Sequence, residues 1–338
     1  MNRYLKRIII GAFVVPFVCF SCAIGFIYFY DPLQLFREKY SNRYIEDINI
    51  SFKRVLGNYD FNGVVLGTSM SIENNPKELN FAKFINASQW AIRFNYRTNL
   101  LNYILKYKNI NYVIFDLAHI KDDFNSEYYN IVSMYGSDNI YSKFMIYENN
   151  KTFLKCIMSF FEIDTCFGKE HDFYSHVKMI NEYIKNDYEV NEKDFISNQN
   201  NYYDDSQIFI NYFSAILNTY KDVYFIFIIP PKSILALKSK DINKEVEVYK
   251  DIILFLSKYD NTQIHFFGNE QFVDNINNYY DLYHYKPWIN SRINKSINEG
   301  INIITTKNMD EYFDKFIKKI KNYDIKAYEE ALKLNIKE

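Results

Sequence analysis

Val64-Val65-Leu66-Gly67-Thr68-Ser69-Met70-Ser71 is the stretch on which the fold turns. A short run of β-branched and aliphatic residues reads as a buried strand. A glycine at its end lets the chain turn sharply, because a residue without Cβ tolerates backbone angles that others resist. The hydroxyl side chains that follow then stand at the carboxyl edge of a sheet, where open α/β folds place their sites. Ser69 is therefore the candidate nucleophile. The same residues also suit a strand followed by an ordinary helix cap, since Ser and Thr are favoured caps. The nucleophile reading needs a base elsewhere in the chain.

Short apolar runs of the same kind recur at 64–66, 84–85, 112–117, 223–229, 264–267 and 301–305. Most lack polar alternation, as parallel strands buried on both faces do. Helical patterns stand between them, clearest at 96–107, 206–220, 244–259 and 309–328. Alternating strand and helix predicts an α/β fold with a doubly wound, mostly parallel sheet over residues 59–308. Between about 121 and 205 the strand signal lapses and Tyr, Asn and acidic residues accumulate, so a helical insertion is expected there. It either carries substrate specificity or simply covers the sheet. A charged surface helix over 309–338 closes the chain.

The sequence has 338 residues, enough for a substantial core, and 40 basic residues against 41 acidic ones. No global field points to nucleic acid, so partners must be argued from sites. The 32 Tyr and 30 Phe follow no fixed period, and an A+T-rich coding bias explains them at least as well as a binding role. Residues 8–30 are apolar without a charge, long enough to cross a hydrocarbon core of about 30 Å. Arg3, Lys6 and Arg7 precede them, which places that end in the cytoplasm. Residues 1–30 are thus read as a cytoplasmic stub and uncleaved signal anchor in an inner or cytoplasmic membrane, with the C-terminal domain periplasmic or otherwise extracytoplasmic. A cleaved signal peptide is the rival, but no small-x-small site closes the run. Residues 31–58, opening on Asp31-Pro32, form the connector.

Cys19 and Cys22 fit as apolar fillers of the anchor, while Cys156 and Cys166 lie in the exported part, where a disulfide is chemically permitted. No paired Cys-x-x-Cys and no His-x-x-x-His occurs; His171 and His176 are five apart. No metal and no cofactor is expected.

A base for Ser69 appears late in the chain, in Asp281-Leu282-Tyr283-His284-Tyr285-Lys286-Pro287. On a loop entering a helix, that spacing can fold Asp281 against Nδ1 of His284, leaving Nε2 free to take a serine proton. An incidental loop histidine gives the same letters. His119, just past a central strand, competes as base or substrate contact, and Pro230-Pro231 forms a stiff loop after the fourth strong strand.

Together, Gly67-Thr68-Ser69 and Asp281-x-x-His284 resemble the first and last blocks of the SGNH (GDSL-like) hydrolase superfamily. Asp31-Pro32 after an anchor, Gly67-Thr68-Ser69-Met70 and Asp281-x-x-His284-Tyr285 are more similar to its membrane-anchored branch. That branch resembles proteins for D-alanine transfer to teichoic acids and for acetylation of alginate and other cell-surface polysaccharides. The resemblance implies an SGNH-like sheet, a Ser69-His284-Asp281 triad, and an outward-facing serine esterase or O-acyltransferase. Its substrate would be an acylated glycan or other acyl ester, and its partner a multi-spanning membrane acyltransferase. The superfamily's oxyanion glycine and asparagine are not in Asn86-Ala87-Ser88-Gln89-Trp90-Ala91-Ile92 or in Phe115-Asp116-Leu117-Ala118-His119. The backbone N–H of Ala91 and the side chains of Asn86 and Asn95 stand as substitute donors. Loss of those donors also suits a catalytically inactive glycan-binding or assembly subunit.

Overall fold

Buried strands that are apolar on both faces need helices on both faces, and the chain supplies them. A computed structural model describes residues 3–31, 33, 35–36, 55–57, 59–88, 93–120, 143–144, 205–238, 241–280 and 282–324. The chain divides into two compact units, Met1–Tyr59 with Ser126–Asp172 and Asp60–Asn125 with Phe173–Glu338. Of the expectations above, Ala91, Asp281, Cys156, Cys166, His171, His176 and nearly all of the insertion lie outside the described residues.

The first unit contains α1 (Arg3–Tyr30). Its stretch Ile10–Phe29 is long and apolar enough to span a membrane, and none of it is buried in protein. Phe13, Phe17, Phe20 and Phe29 are each largely exposed, a surface suited to lipid. Asp31 ends the helix with φ at 40°, and its carboxylate accepts the amides of Leu35 and Phe36 at 2.9 Å each.

In the second unit, five strands form one parallel sheet: β1 (Gly63–Leu66), β2 (Phe84–Asn86), β3 (Tyr112–Asp116), β4 (Tyr224–Ile229) and β5 (Thr262–Phe266). The helices are α2 (Phe94–Tyr107), α3 (Ser206–Thr219), α4 (Ile234–Lys238), α5 (Ile242–Leu256), α6 (Pro287–Glu299) and α7 (Met309–Asn322). Strand order is β2-β1-β3-β4-β5. The chain therefore runs from β1 out to one edge, returns past β1 to β3, and proceeds to the other edge. Strand order reverses between β1 and β3, and a crevice opens beyond the carboxyl ends of such a pair. The register Leu66↔Phe115 ends β1 one residue before β3 ends at Asp116, so the segment that follows β1 stands beside the end of β3.

Strand residues alternate between two cores. Val65, Ile114, Ile226 and Ile228 face one of them, where α6 contributes Ile289, Ile293 and Ile297. On the other, the Phe213 ring of α3 lies 4.9 Å from that of Phe115 and 5.1 Å from that of Phe227, both edge-on. Phe209 stacks on Phe213 at 4.6 Å, and Phe94 of α2 meets Phe115 at 5.9 Å. Edge-to-face pairs of this kind add about 0.5–1.5 kcal/mol each beyond the area they bury. Many of the abundant phenylalanines are thus core residues. The ring of Phe316 in α7 packs on Phe266 at 4.9 Å, so the C-terminal helix joins the sheet unit through Asn322.

One expected strand is not formed. Residues 301–305 make only an isolated antiparallel bridge from Ile303 to His265. The chain leaves α6 through Gly300 at φ 65° and takes a second left-handed residue at Asn302, φ 60°, and that conformation cannot continue as extended backbone.

His265 is fully buried on β5, with Nδ1 2.8 Å from the Ile301 carbonyl. Burial pushes its pKa from 6.5 down to about 4. Between those values the unfolded chain binds a proton that the native chain does not. The stabilisation from neutral His265 is therefore complete above pH 6.5 and is lost as pH falls toward 4, on the order of 3 kcal/mol in all. Denaturant titrations of native protein and His265→Gln should differ by a margin that shrinks by about that amount from pH 7 to pH 4.

Candidate active site

Gly67 and Thr68 carry the chain from β1 into a single 3-10 turn, Ser69–Ser71. A Cβ on residue 67 would lie 2.2 Å from Ser71 Oγ and 3.2 Å from Asp116 Cβ. Only glycine lets the turn fold back this closely on the neighbouring strand. There the Asp116 carboxylate, at the end of β3, receives it. Its Oδ2 accepts from the hydroxyl of Ser71 at 2.9 Å, the hydroxyl of Thr68 at 3.1 Å and the Thr68 amide at 3.4 Å. Its Oδ1 accepts from the Ala118 amide at 2.7 Å.

Other elements brace the same turn. Arg97 of α2 is fully buried, its guanidinium 5.1 Å from the Phe115 ring centroid, and donates to the carbonyls of Asp116 and Ala118. Asn86, ending β2, donates through Nδ2 to the carbonyls of Ser71, Ile72 and Asn74 at 2.8–3.0 Å. From α6, Asn290 donates to the Met70 carbonyl at 3.2 Å, and Asn294 exchanges side-chain amide bonds with Asn74. Thr68 and Ser71 are buried against Asp116 while Ser69 remains half-buried and outward.

The candidate base, His284, arrives on a hairpin loop. Tyr280 donates its amide to the His284 carbonyl at 2.7 Å, Lys286 donates to the Asn278 carbonyl at 2.9 Å, and Tyr279 pairs with Tyr285. Pro287 then starts α6, as its fixed φ allows at a first helical position. His284 Nε2 stands 2.7 Å from Ser69 Oγ, across 215 residues of sequence. That is the distance at which a base takes the proton of an attacking hydroxyl.

The substitute oxyanion donors fare differently. The amide group of Asn86 is spent on the three backbone carbonyls, so it braces the turn, because a carbonyl-bonded N–H2 cannot also face a developing oxyanion. Asn95 is buried in the first turn of α2, its carbonyl accepting the Thr98 hydroxyl at 2.9 Å. His119 is exposed, with φ at 56°. The backbone N–H of Ser69 meets no acceptor among the described residues.

Sequence reasoning missed the roles of Asp116, Arg97, Asn290 and Asn294. A carboxylate closing an otherwise apolar strand was the available signal for Asp116. For the asparagines it was their spacing on the helix face that also carries Ile289, Ile293 and Ile297.

A second buried carboxylate contrasts with Asp116. Glu73, four residues past Ser69, is 2% exposed, and neither of its oxygens has a hydrogen-bond partner among the described residues. Burial pushes its pKa from 4.5 up to about 7. The Tyr280 phenol is raised as well, chiefly by burial and further by the charge of Glu73.

Two substitutions separate these carboxylates. Asp116→Asn sets an N–H2 group against the donors that Oδ2 now satisfies and should cost more than about 2 kcal/mol by denaturant unfolding. Glu73→Gln should do the reverse. Native stability falls as pH rises from 4.5 through 7, where the folded chain holds a proton that the unfolded one releases, so the variant gains on the order of 2–3 kcal/mol over that window. This slope opposes that of His265, so each single variant exposes the pH dependence the other masks. Compared with known proteins, the chain matches no family model, no curated protein and no solved structure.

Proposed function

We propose that the chain is a membrane-anchored, outward-facing serine esterase or O-acyltransferase acting on acylated cell-surface glycans. The contact of 2.7 Å between Ser69 Oγ and His284 Nε2 carries this reading. Nucleophile and base come from opposite ends of the domain sequence and meet at the strand-order reversal, where α/β sheets host chemistry.

Ser69 Oγ attacks the acyl carbonyl while His284 Nε2 removes its proton. The tetrahedral intermediate expels the alkoxide of the sugar, which takes that proton from the imidazolium. Water or a second sugar hydroxyl, deprotonated by the same nitrogen, then attacks the acyl-enzyme and frees Ser69. Asp281 takes the role of orienting the imidazole. The N–H of Ser69, which meets no acceptor among the described residues, supplies one oxyanion donor, and the backbone N–H of Ala91 is the candidate for the second; such donors are worth several kcal/mol in a dry site. The apolar stretch Ile10–Phe29 supports tethering to a membrane, and Arg3, Lys6 and Arg7 favour an outward domain. A multi-spanning acyltransferase is the expected source of acyl groups if the reaction is transfer.

A fluorophosphonate probe tests the reading. Native protein in detergent should form an adduct that Ser69→Ala abolishes and that His284→Ala slows about 10²–10⁴-fold, the usual worth of a positioned general base. A folded native chain without a Ser69-dependent adduct sinks the proposal and leaves the inactive-subunit reading. Following a labelled acyl ester with and without a glycan acceptor then separates transfer from hydrolysis.

A further inference from the structure

The segment that follows β4 is buried throughout, from Pro230 to Ser233. At its centre the Lys232 ammonium pairs with the Glu245 carboxylate of α5, with the Tyr249 hydroxyl 3.2 Å away. A lysine held this way fixes the backbone on either side of it. On one side the Pro231 carbonyl accepts from the Tyr279 hydroxyl at 3.3 Å. On the other, Ser233 Oγ donates to the Leu282 carbonyl at 2.6 Å. Both partners belong to the loop that presents His284.

Ser233 is 1% exposed, and its bonding is directional. As the cap of α4 it accepts from the Ala236 amide at 3.2 Å. One lone pair is thereby committed, and the hydroxyl proton is left for the Leu282 carbonyl. Leu282 lies two residues before His284, whose own carbonyl is held by Tyr280. The base is thus gripped on both sides along the backbone.

We propose that Ser233 is a positioning residue for the base, its cap-oriented hydroxyl fixing the Leu282 carbonyl and through it the place where His284 Nε2 meets Ser69. The proposal rests on the reading of Ser69 and His284 as nucleophile and base. Misplacing a reacting group by about 1 Å can cost 10²-fold. Ser233 is one of several ties on this loop, so its removal is expected to cost about tenfold.

The test uses the full chain in detergent, labelled with ¹⁵N-histidine, with the His284 imidazole resonances assigned by their loss in His284→Ala. Ser233→Ala should slow fluorophosphonate labelling about tenfold and shift or broaden the His284 resonances, while Ser233→Thr, which keeps both bonds, restores both. Asp205→Ala is the control. It removes the cap of α3, where Asp205 accepts from Gln207 and Ile208, and a lost cap destabilises a helix wherever it occurs. It should lower the melting temperature comparably yet label at the native rate with unchanged resonances. Native labelling and native resonances in Ser233→Ala overturn the proposal, as does an equal rate loss in Asp205→Ala. If the native chain gives no Ser69-dependent adduct, the proposed function fails separately, and the His284 resonances in Ser233→Ala still decide the role of Ser233.

Discussion

Everything at the candidate site leans on the carboxylate of Asp116. A carboxylate buried at the end of a central strand is tolerated only when donors surround it, and here the donors are the residues on both sides of Ser69. Thr68 contributes an amide and a hydroxyl, and Ser71 a hydroxyl. Because its neighbours are drawn down onto β3, Ser69 is left as the hydroxyl that points away. Gly67 is required for the same reason, since any Cβ there would occupy the space of Ser71. The outward setting of Ser69 is a consequence of what is buried around it.

That constraint works because of topology. β1 and β3 are distant in sequence but adjacent in the sheet, and their register brings Leu66 level with Phe115. Thr68 and Ser71, just past β1, therefore meet Asp116 at the end of β3 without a long loop. Asn86 extends the brace to β2, and Asn290 and Asn294 extend it to α6. Buried polar networks contribute little net stability compared with apolar packing, but when their members are satisfied they select one geometry. Ser69 accordingly rides on the sheet, while His284 rides on a loop fastened by a few bonds.

Much of the sheet was legible because parallel strands buried on both faces leave unbroken apolar runs, as at 112–117 and 223–229. Residues 301–305 have the same β-branched character, yet the left-handed backbone at Gly300 and Asn302 turned them away, and composition does not report that. Ser69 and His284 were legible because their chemistry requires particular residue types. Asn86 was not, because an amide reads as a free donor until the fold reveals which carbonyls claim it. Nor was Asp116, since its value lies in a neighbour 48 residues earlier. Asp281 and Ala91, also drawn from the pattern, lie outside the described residues.

The two buried carboxylates near Ser69 divide the site energetically. Asp116 meets four donor contacts on the sheet side, whereas Glu73 meets none among the described residues and lies within electrostatic reach of Tyr280 on the His284 loop. An unsatisfied buried acid opposes folding, by an amount that grows as pH rises toward neutrality. The turn can bear it because the opposite side is held so firmly. The satisfied polar contacts thus lie where Ser69 is held to the sheet, and the uncompensated cost sits on the side facing Tyr280 and the His284 loop. Proteins commonly tolerate such an imbalance at sites whose local geometry serves function more than stability. A chain selected for stability alone would place an apolar residue at position 73.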